Sequence, residues 1–112
     1  MPELQAGNLA PDFTLPKDDG TVFRLAQQFG QPVVLFFYPA DDTPGCTTQN
    51  VAFSTLLPQF ESLGTVVLGI SPDSVAQHQS FRAKHALTVE LASDPDHHAI
   101  SAYGVWRLKK NY

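Results

Sequence analysis

Cys46 is the only cysteine in 112 residues, and it stands in the segment Tyr38-Pro39-Ala40-Asp41-Asp42-Thr43-Pro44-Gly45-Cys46-Thr47-Thr48-Gln49. An apolar run ends just before this segment, and a stretch with helical spacing begins inside it. Thr43 is of the residue type that caps a helix N-terminus, and Pro44 suits the first helical position, so Cys46 is expected in the first turn. Backbone N–H groups there lack intrahelical acceptors, and the helix dipole presents its positive end. A thiol so placed ionises more readily than free cysteine, and the thiolate is the nucleophilic form. Attack by a thiolate needs donors that hold its target in line and stabilise the charge on the departing atom. By spacing, the N–H groups of Gly45 and Cys46 and the hydroxyl of Thr43 are within reach. Pro39 removes a donor from the loop and stiffens it, shielding the sulfur. The plainer alternative is a buried small hydrophobe at Cys46, the commoner fate of a lone cysteine in an apolar domain. Thr43 likewise has a complete explanation as an N-cap worth about 1 kcal/mol.

The elements that position this segment follow from the apolar pattern. Val33 to Tyr38 is β-branched and aromatic without polar alternation, the pattern of a strand covered on both faces, and Thr65 to Ile70 repeats it. Between them Phe53, Leu56, Leu57, Phe60 and Leu63 recur at helical spacing until Gly64, giving strand, helix, strand in the order of a right-handed βαβ unit. Pro58 is expected to kink or split that helix. Pro11 to Pro16 and Thr21 to Phe23 read as strands of a hairpin turning at Asp18-Asp19-Gly20, followed by a helical turn from Leu25 to Phe29 closed by Gly30. Ser71-Pro72 reads as the cap and first position of a helix reaching about His85, Thr88 to Leu91 as a strand, and Asp94-Pro95 as the start of a short helix stopped by Gly104.

Composition bounds the function classes. With 43% hydrophobic residues and eight Phe, the chain buries on the order of 65% of its unfolded surface around one modest core, and residues 1–112 read as a single domain. Seven Lys and Arg against eleven Asp and Glu supply no basic stripe for nucleic acid, the one clump being Arg107 to Lys110. No apolar run approaches the roughly 18 residues of a membrane span, and the N-terminus lacks a secretory layout, so the chain reads as soluble and cytoplasmic. His97-His98 with Asp94 and Asp96 lacks metal-ligand spacing and reads as solvated surface. His78 and His85 are expected on a helix surface, Asp41 and Asp42 as loop solubilisers or turn formers, and Trp106 as a packing residue.

Pro39-x-x-x-Thr43-x-x-Cys46 resembles the active-site signature of the peroxiredoxins. Tyr38-Pro-x-Asp-x-Thr-Pro-Gly-Cys-Thr resembles that of the peroxiredoxin Q, or bacterioferritin-comigratory protein, branch. Ala10-Pro11-Asp12-Phe13-Thr14-Leu15, Val67-Leu68-Gly69-Ile70-Ser71 and Tyr103-Gly104-Val105-Trp106 extend the likeness over nearly the whole chain. The resemblance implies an α/β, thioredoxin-like fold, with a central sheet, flanking helices and an N-terminal hairpin. It also implies reduction of hydrogen peroxide and organic hydroperoxides through a sulfenic acid at Cys46, with Thr43, Gly45 and Pro39 shaping the site and without cofactor or metal. Gln49 falls where the branch often has an acid or amide.

Two departures stand out. Members of the branch often carry a resolving cysteine five residues after the attacking one, where this chain has Val51, so the resemblance points to an external thiol reductant such as thioredoxin, glutathione or a glutaredoxin-like protein. The family's later arginine, last strands and closing helix are not reached by Tyr112, and Arg107, adjoining the Tyr103 to Trp106 segment, is not a substitute. The Val33 to Tyr38 strand is then expected to have an uncovered edge, where the chain self-associates or aggregates. The rival reading is an inactive, truncated thioredoxin-like domain that associates through that edge. A disulfide reductase of the Cys-x-x-Cys kind is disfavoured by Gln49.

Overall fold

In the computed structural model, which describes residues 4–105, the two continuous apolar runs become neighbouring parallel strands. They are β3 (Val33–Phe37) and β4 (Val66–Ser71), in register from Val33 opposite Val66 to Phe37 opposite Ile70. Before them, β1 (Thr14–Pro16) and β2 (Val22–Arg24) form an antiparallel hairpin, followed by a single 3-10 turn over Leu25–Gln27. The remaining elements are α1 (Pro44–Ser62), α2 (Val75–His85), β5 (Glu90–Ser93) and α3 (His98–Ala102). Strand β5 runs parallel to β4, giving the order β3-β4-β5, and a bridge from Lys17 to Ala92 attaches the hairpin to the β5 side.

Period-two alternation along β3 splits its side chains between two apolar clusters, as a strand covered on both faces requires. Val34, Phe36 and Tyr38 join Cys46, Phe53, Val67 and Phe81 on the side of α1 and α2. Val33, Leu35 and Phe37 join Phe13, Leu15, Phe23, Leu68, Ile70 and Ile100 on the side of the hairpin and α3. Gly69 in the middle of β4 is required by close approach. A Cβ there would meet the ring of Phe36 at 2.6 Å, and that ring in turn stacks on Phe53 with centroids 4.2 Å apart. Among the described residues, the other edge of β3 carries no partner strand.

Several boundaries differ from those the sequence suggests. The hairpin strands are shorter than Pro11 to Pro16, and the second is shifted by one residue. Ser71 ends β4 instead of capping α2; the cap is Ser74, which accepts the N–H of Gln77 while the Gln77 side chain accepts the N–H of Ser74. That reciprocal capping box satisfies two donors at once and outcompetes Ser71-Pro72 as a start. The last strand starts at Glu90, not Thr88, and the last helix begins at His98. Asp94 does serve that helix, its two carboxylate oxygens accepting the N–H groups of His98 and Ile100.

Pro58 does not split α1, which continues to Ser62. Its missing N–H leaves the carbonyl of Ser54 without the usual helical donor, and the hydroxyl of Thr88 donates to that oxygen at 3.2 Å. The Ser54 hydroxyl oxygen accepts the backbone N–H groups of Thr88 and Val89, both at 3.1 Å. The interruption thus becomes a docking point for the segment entering β5. Gly64, at φ +67, closes α1 with Thr65 N–H bonded back to Phe60 and Gly64 N–H to Glu61, the paired bonds of a Schellman turn. Trp106 and the basic residues Arg107 to Lys110 lie outside the described residues.

Candidate active site

The loop from the end of β3 and the first turns of α1 together carry the residues singled out around the thiol. Cys46 sits in the first turn of α1, buried at 8% exposure in the cluster of Phe36, Tyr38, Val67, Phe81 and Leu87. The first intrahelical bond runs from the N–H of Thr47 to the carbonyl of Thr43 at 2.8 Å. The N–H groups of Gly45 and Cys46 therefore precede any intrahelical acceptor.

Thr43 holds the N-cap position with extended backbone but makes no capping bond from its side chain. Its hydroxyl instead donates to the carbonyl of Ala40 at 3.0 Å, folding the loop onto itself. The N-cap explanation accounts for the position of Thr43 and not for its side chain. The two backbone donors at Gly45 and Cys46 are left for a different acceptor. Pro39 is exposed at the C-terminal end of β3, on the wall of a cavity of about 350 Å³ formed with Phe37, Tyr38, Pro72, Ile100 and Val105. Gln49 and Val51 are exposed on α1.

Asp41 is not a loop solubiliser. Its side chain is 6% exposed; one carboxylate oxygen accepts the Tyr38 hydroxyl at 2.7 Å and the other faces Nδ1 of His78 at 2.7 Å. His78, expected on a helix surface, is fully buried, with Nε2 at 3.0 Å from the carbonyl of Ala92. The backbone N–H of Asp41 donates to Asp73 at 2.8 Å, and the same Asp73 oxygen accepts the Ser71 hydroxyl at 2.7 Å. His78 precedes Phe81 by three positions, so both lie on the inward face of α2. That shared spacing, in a helix whose other apolar residues are few, is the signal by which the sequence could have disclosed the buried histidine.

Asp42 occupies the left-handed region at φ 60, a conformation uncommon for a non-glycine residue. Lys84 at 2.6 Å and His85 at 2.9 Å hold its exposed carboxylate, so His85 is half-buried and paired. Their hydrogen bonds hold the Asp42 carboxyl below its usual range. Burial and then the hydrogen bond to Asp41 push the Tyr38 phenol far up, so it remains a donor. For His78, burial works downward, but the hydrogen bond and charge of Asp41, the Ala92 carbonyl and the charge of Asp73 outweigh it, and the net shift is upward. Asp41, Asp73 and His78 bring three ligand-type atoms within 4.8 Å of one another. Their lone pairs and ring nitrogens are already engaged with Tyr38, Ser71, the Asp41 N–H and the Ala92 carbonyl, a donor set that fits hydrogen bonding and not a metal ion.

Asn50, one turn beyond Cys46, is fully buried. Its amide donates to the Cys46 carbonyl at 3.0 Å, and its own Oδ1 has no partner among the described residues.

Residues 6–112 match the model of the AhpC/TSA family. The chain is 41% identical over 109 residues to peroxiredoxin Bcp of Bacillus subtilis, covering 97% of this chain and 69% of that protein. A structure of Xanthomonas campestris peroxiredoxin Q superposes with a TM-score of 0.83 at 40% identity, covering 87% of this chain and 61% of that one. A yeast mitochondrial 1-Cys peroxiredoxin, studied for thiol resolution via glutathione/thioredoxin systems, superposes at 0.77 with 27% identity, covering 89% of this chain and 50% of that one. The chain thus spans about three-fifths of the length of the peroxiredoxin Q structure it matches.

Proposed function

We infer that this chain, which belongs to the AhpC/TSA family and has the thioredoxin-like fold of the peroxiredoxins, is a thiol peroxidase whose reacting atom is the sulfur of Cys46. The observation that carries the reading is the first turn of α1. A single buried cysteine shares that turn with two backbone N–H groups that Thr43 does not cap. The Cys46 thiolate attacks one peroxide oxygen; an S–O bond forms as the O–O bond breaks, and the electron pair leaves on the other oxygen as hydroxide or alkoxide. Sulfur is oxidised by two electrons to the sulfenic acid, and the departing oxygen takes up a proton to become water or alcohol. The Gly45 and Cys46 N–H groups stabilise that departing oxygen, and the Thr43 hydroxyl, whose one proton is on the Ala40 carbonyl in this structure, joins them by turning from that bond to the peroxide. Pro39 stiffens the loop from the other end.

These 112 residues hold one thiol, and the reductant in this reading is an external thiol. It attacks the Cys46 sulfur, releasing water and leaving a mixed disulfide that a further thiol reduces. The likeness to a 1-Cys peroxiredoxin resolved via glutathione/thioredoxin systems supports that route, and the exposed Val51 on α1 supplies no sulfur. The test exposes the chain briefly to about one equivalent of hydrogen peroxide with a sulfenic-acid trap and reads intact mass, with Cys46→Ser and free cysteine as controls. Trapping far faster than the oxidation of free cysteine is expected, and a rate no faster removes the reading. The edge of β3 that has no partner strand among the described residues favours a second reading, association of chains without peroxide chemistry. Dimers in a sizing run together with an unreactive Cys46 would establish it.

A further inference from the structure

We propose that His78 is a positioning residue for Cys46: through its pairing with Asp41 it fixes the loop of residues 39–43 that carries Thr43 and leads into the first turn of α1. The proposal rests on the peroxidase reading for its kinetic consequences and on geometry for the clamp. His78 reaches this loop from α2, 37 positions along the chain from Asp41, and no solvent reaches its ring.

The ring's partners define its state. Nε2 faces a carbonyl oxygen at 3.0 Å, which can only accept, so that nitrogen carries a proton. Nδ1 faces a carboxylate oxygen at 2.7 Å, and the same carboxylate already accepts the Tyr38 hydroxyl. A carboxylate that accepts from two directions is the ionised form, and the ring that matches it is the imidazolium, donating from both nitrogens. The charged and titratable groups facing it are Asp41 and Tyr38 from the β3–α1 segment and Asp73 from the β4–α2 connection; β5 contributes the Ala92 carbonyl. On its own helix, Lys84 and His85 turn to Asp42.

The loop is thereby gripped at consecutive residues. The Asp41 side chain is held by His78 and Tyr38, its N–H by Asp73, and the left-handed Asp42 by the end of α2. Thr43 follows immediately, its hydroxyl returning to Ala40 at 3.0 Å. Releasing Asp41 leaves an unpaired buried carboxylate and frees the backbone that sets where Thr43 and the Gly45 N–H point. A misplacement of about 1 Å at such a site costs about 100-fold in rate.

Two substitutions separate the bonds of the ring, because an asparagine amide overlays Nδ1 and a glutamine amide overlays Nε2. His78→Asn keeps a donor toward Asp41, and His78→Gln keeps one toward Ala92. Expected for His78→Gln is a loss of about 10- to 100-fold in the rate of Cys46 with hydrogen peroxide, with faster amide hydrogen exchange at Asp41 and Cys46. His78→Asn should recover most of both, and nitrogen shifts of the wild-type imidazole followed against pH should show both ring nitrogens protonated to higher pH than in free histidine. A neutral wild-type ring, or Asn and Gln variants indistinguishable in exchange and rate, overturns the proposal. A wild-type Cys46 no faster than free cysteine defeats the peroxidase reading instead, and the exchange contrast between the two variants then still decides for or against the clamp.

Discussion

The carbonyl oxygen of Ser54 and the hydroxyl of Thr88 are joined at 3.2 Å because Pro58 withdraws the N–H that would otherwise occupy that oxygen. Thr88→Val should cost about 0.5–1 kcal/mol of stability, the net worth of one exposed hydrogen bond. In a Pro58→Ala background, where the helix supplies its own donor, the same change should cost clearly less. Urea unfolding of the four chains measures the coupling, and strict additivity would show that the two residues act separately.

Gly69→Ala tests the contact between β4 and the ring of Phe36. A methyl at 2.6 Å from ring carbon forces the stacked pair of Phe36 and Phe53 to shift, and overpacking of this kind costs about 1–3 kcal/mol. Adding Phe36→Leu should recover part of the loss, since the smaller side chain vacates the space. A lowered urea midpoint in the single variant, partly restored in the double, is the expected pattern.

Arg82 is the hub between α2, the hairpin and the approach to β5. It meets both carboxylate oxygens of Asp18 and donates to the carbonyls of Leu87 and Val89, each at 2.8 Å. Asp18 is nearly closed to solvent, so Arg82→Ala strands a buried carboxylate and two carbonyls and should cost about 3 kcal/mol or more. Arg82→Lys should restore only part of it, because a single ammonium cannot reproduce the forked contact. Chemical denaturation of both variants gives the comparison.

Stability should also fall as the pH rises past neutrality. The folded-state pKa of His78 is raised, so between the unfolded value near 6.5 and the folded value the native chain binds more protons than the unfolded one. The contribution is fully present below about pH 6.5 and is lost as pH climbs through the folded pKa, at a limiting slope of about 1.4 kcal/mol per pH unit. Urea midpoints between pH 6 and 9 should decline in the wild type and stay flatter in His78→Asn, which has no titrating ring. Equal slopes in the two chains would count against a paired, charged histidine.

The βαβ unit and the location of Cys46 were legible because each depends on local pattern: unbroken apolar runs for β3 and β4, and Thr43-Pro44 for the start of α1. The side chains around the site were not, because they depend on partners far along the chain. Asp41 reads as a turn residue until His78 and Asp73 are folded against it, and His78 reads as surface because its helix has few apolar residues to mark the inward face. The start of α2 was misplaced for a related reason. Ser71-Pro72 has the residue types of a cap and first position, and the reciprocal bonds of Ser74 with Gln77, which exist only once the turn is folded, start the helix three residues later. Pro58 looks like a break because the sequence shows the missing donor but not the hydroxyl of Thr88 that replaces it.

The bridge between Lys17 and Ala92 has a consequence for the order in which the chain assembles. Strands β3 and β4 meet across a single helix, whereas the hairpin reaches β5 only by closing a long loop, with Lys17 and Glu90 paired 73 positions apart. The entropy of that closure comes before any contact rewards it. The βαβ unit is therefore expected to form early and the hairpin to seal the opposite face late. In the reverse direction the first core expected to meet water is that of Phe13, Leu15 and Phe23, with the sulfur of Cys46 still enclosed on the other side of the sheet.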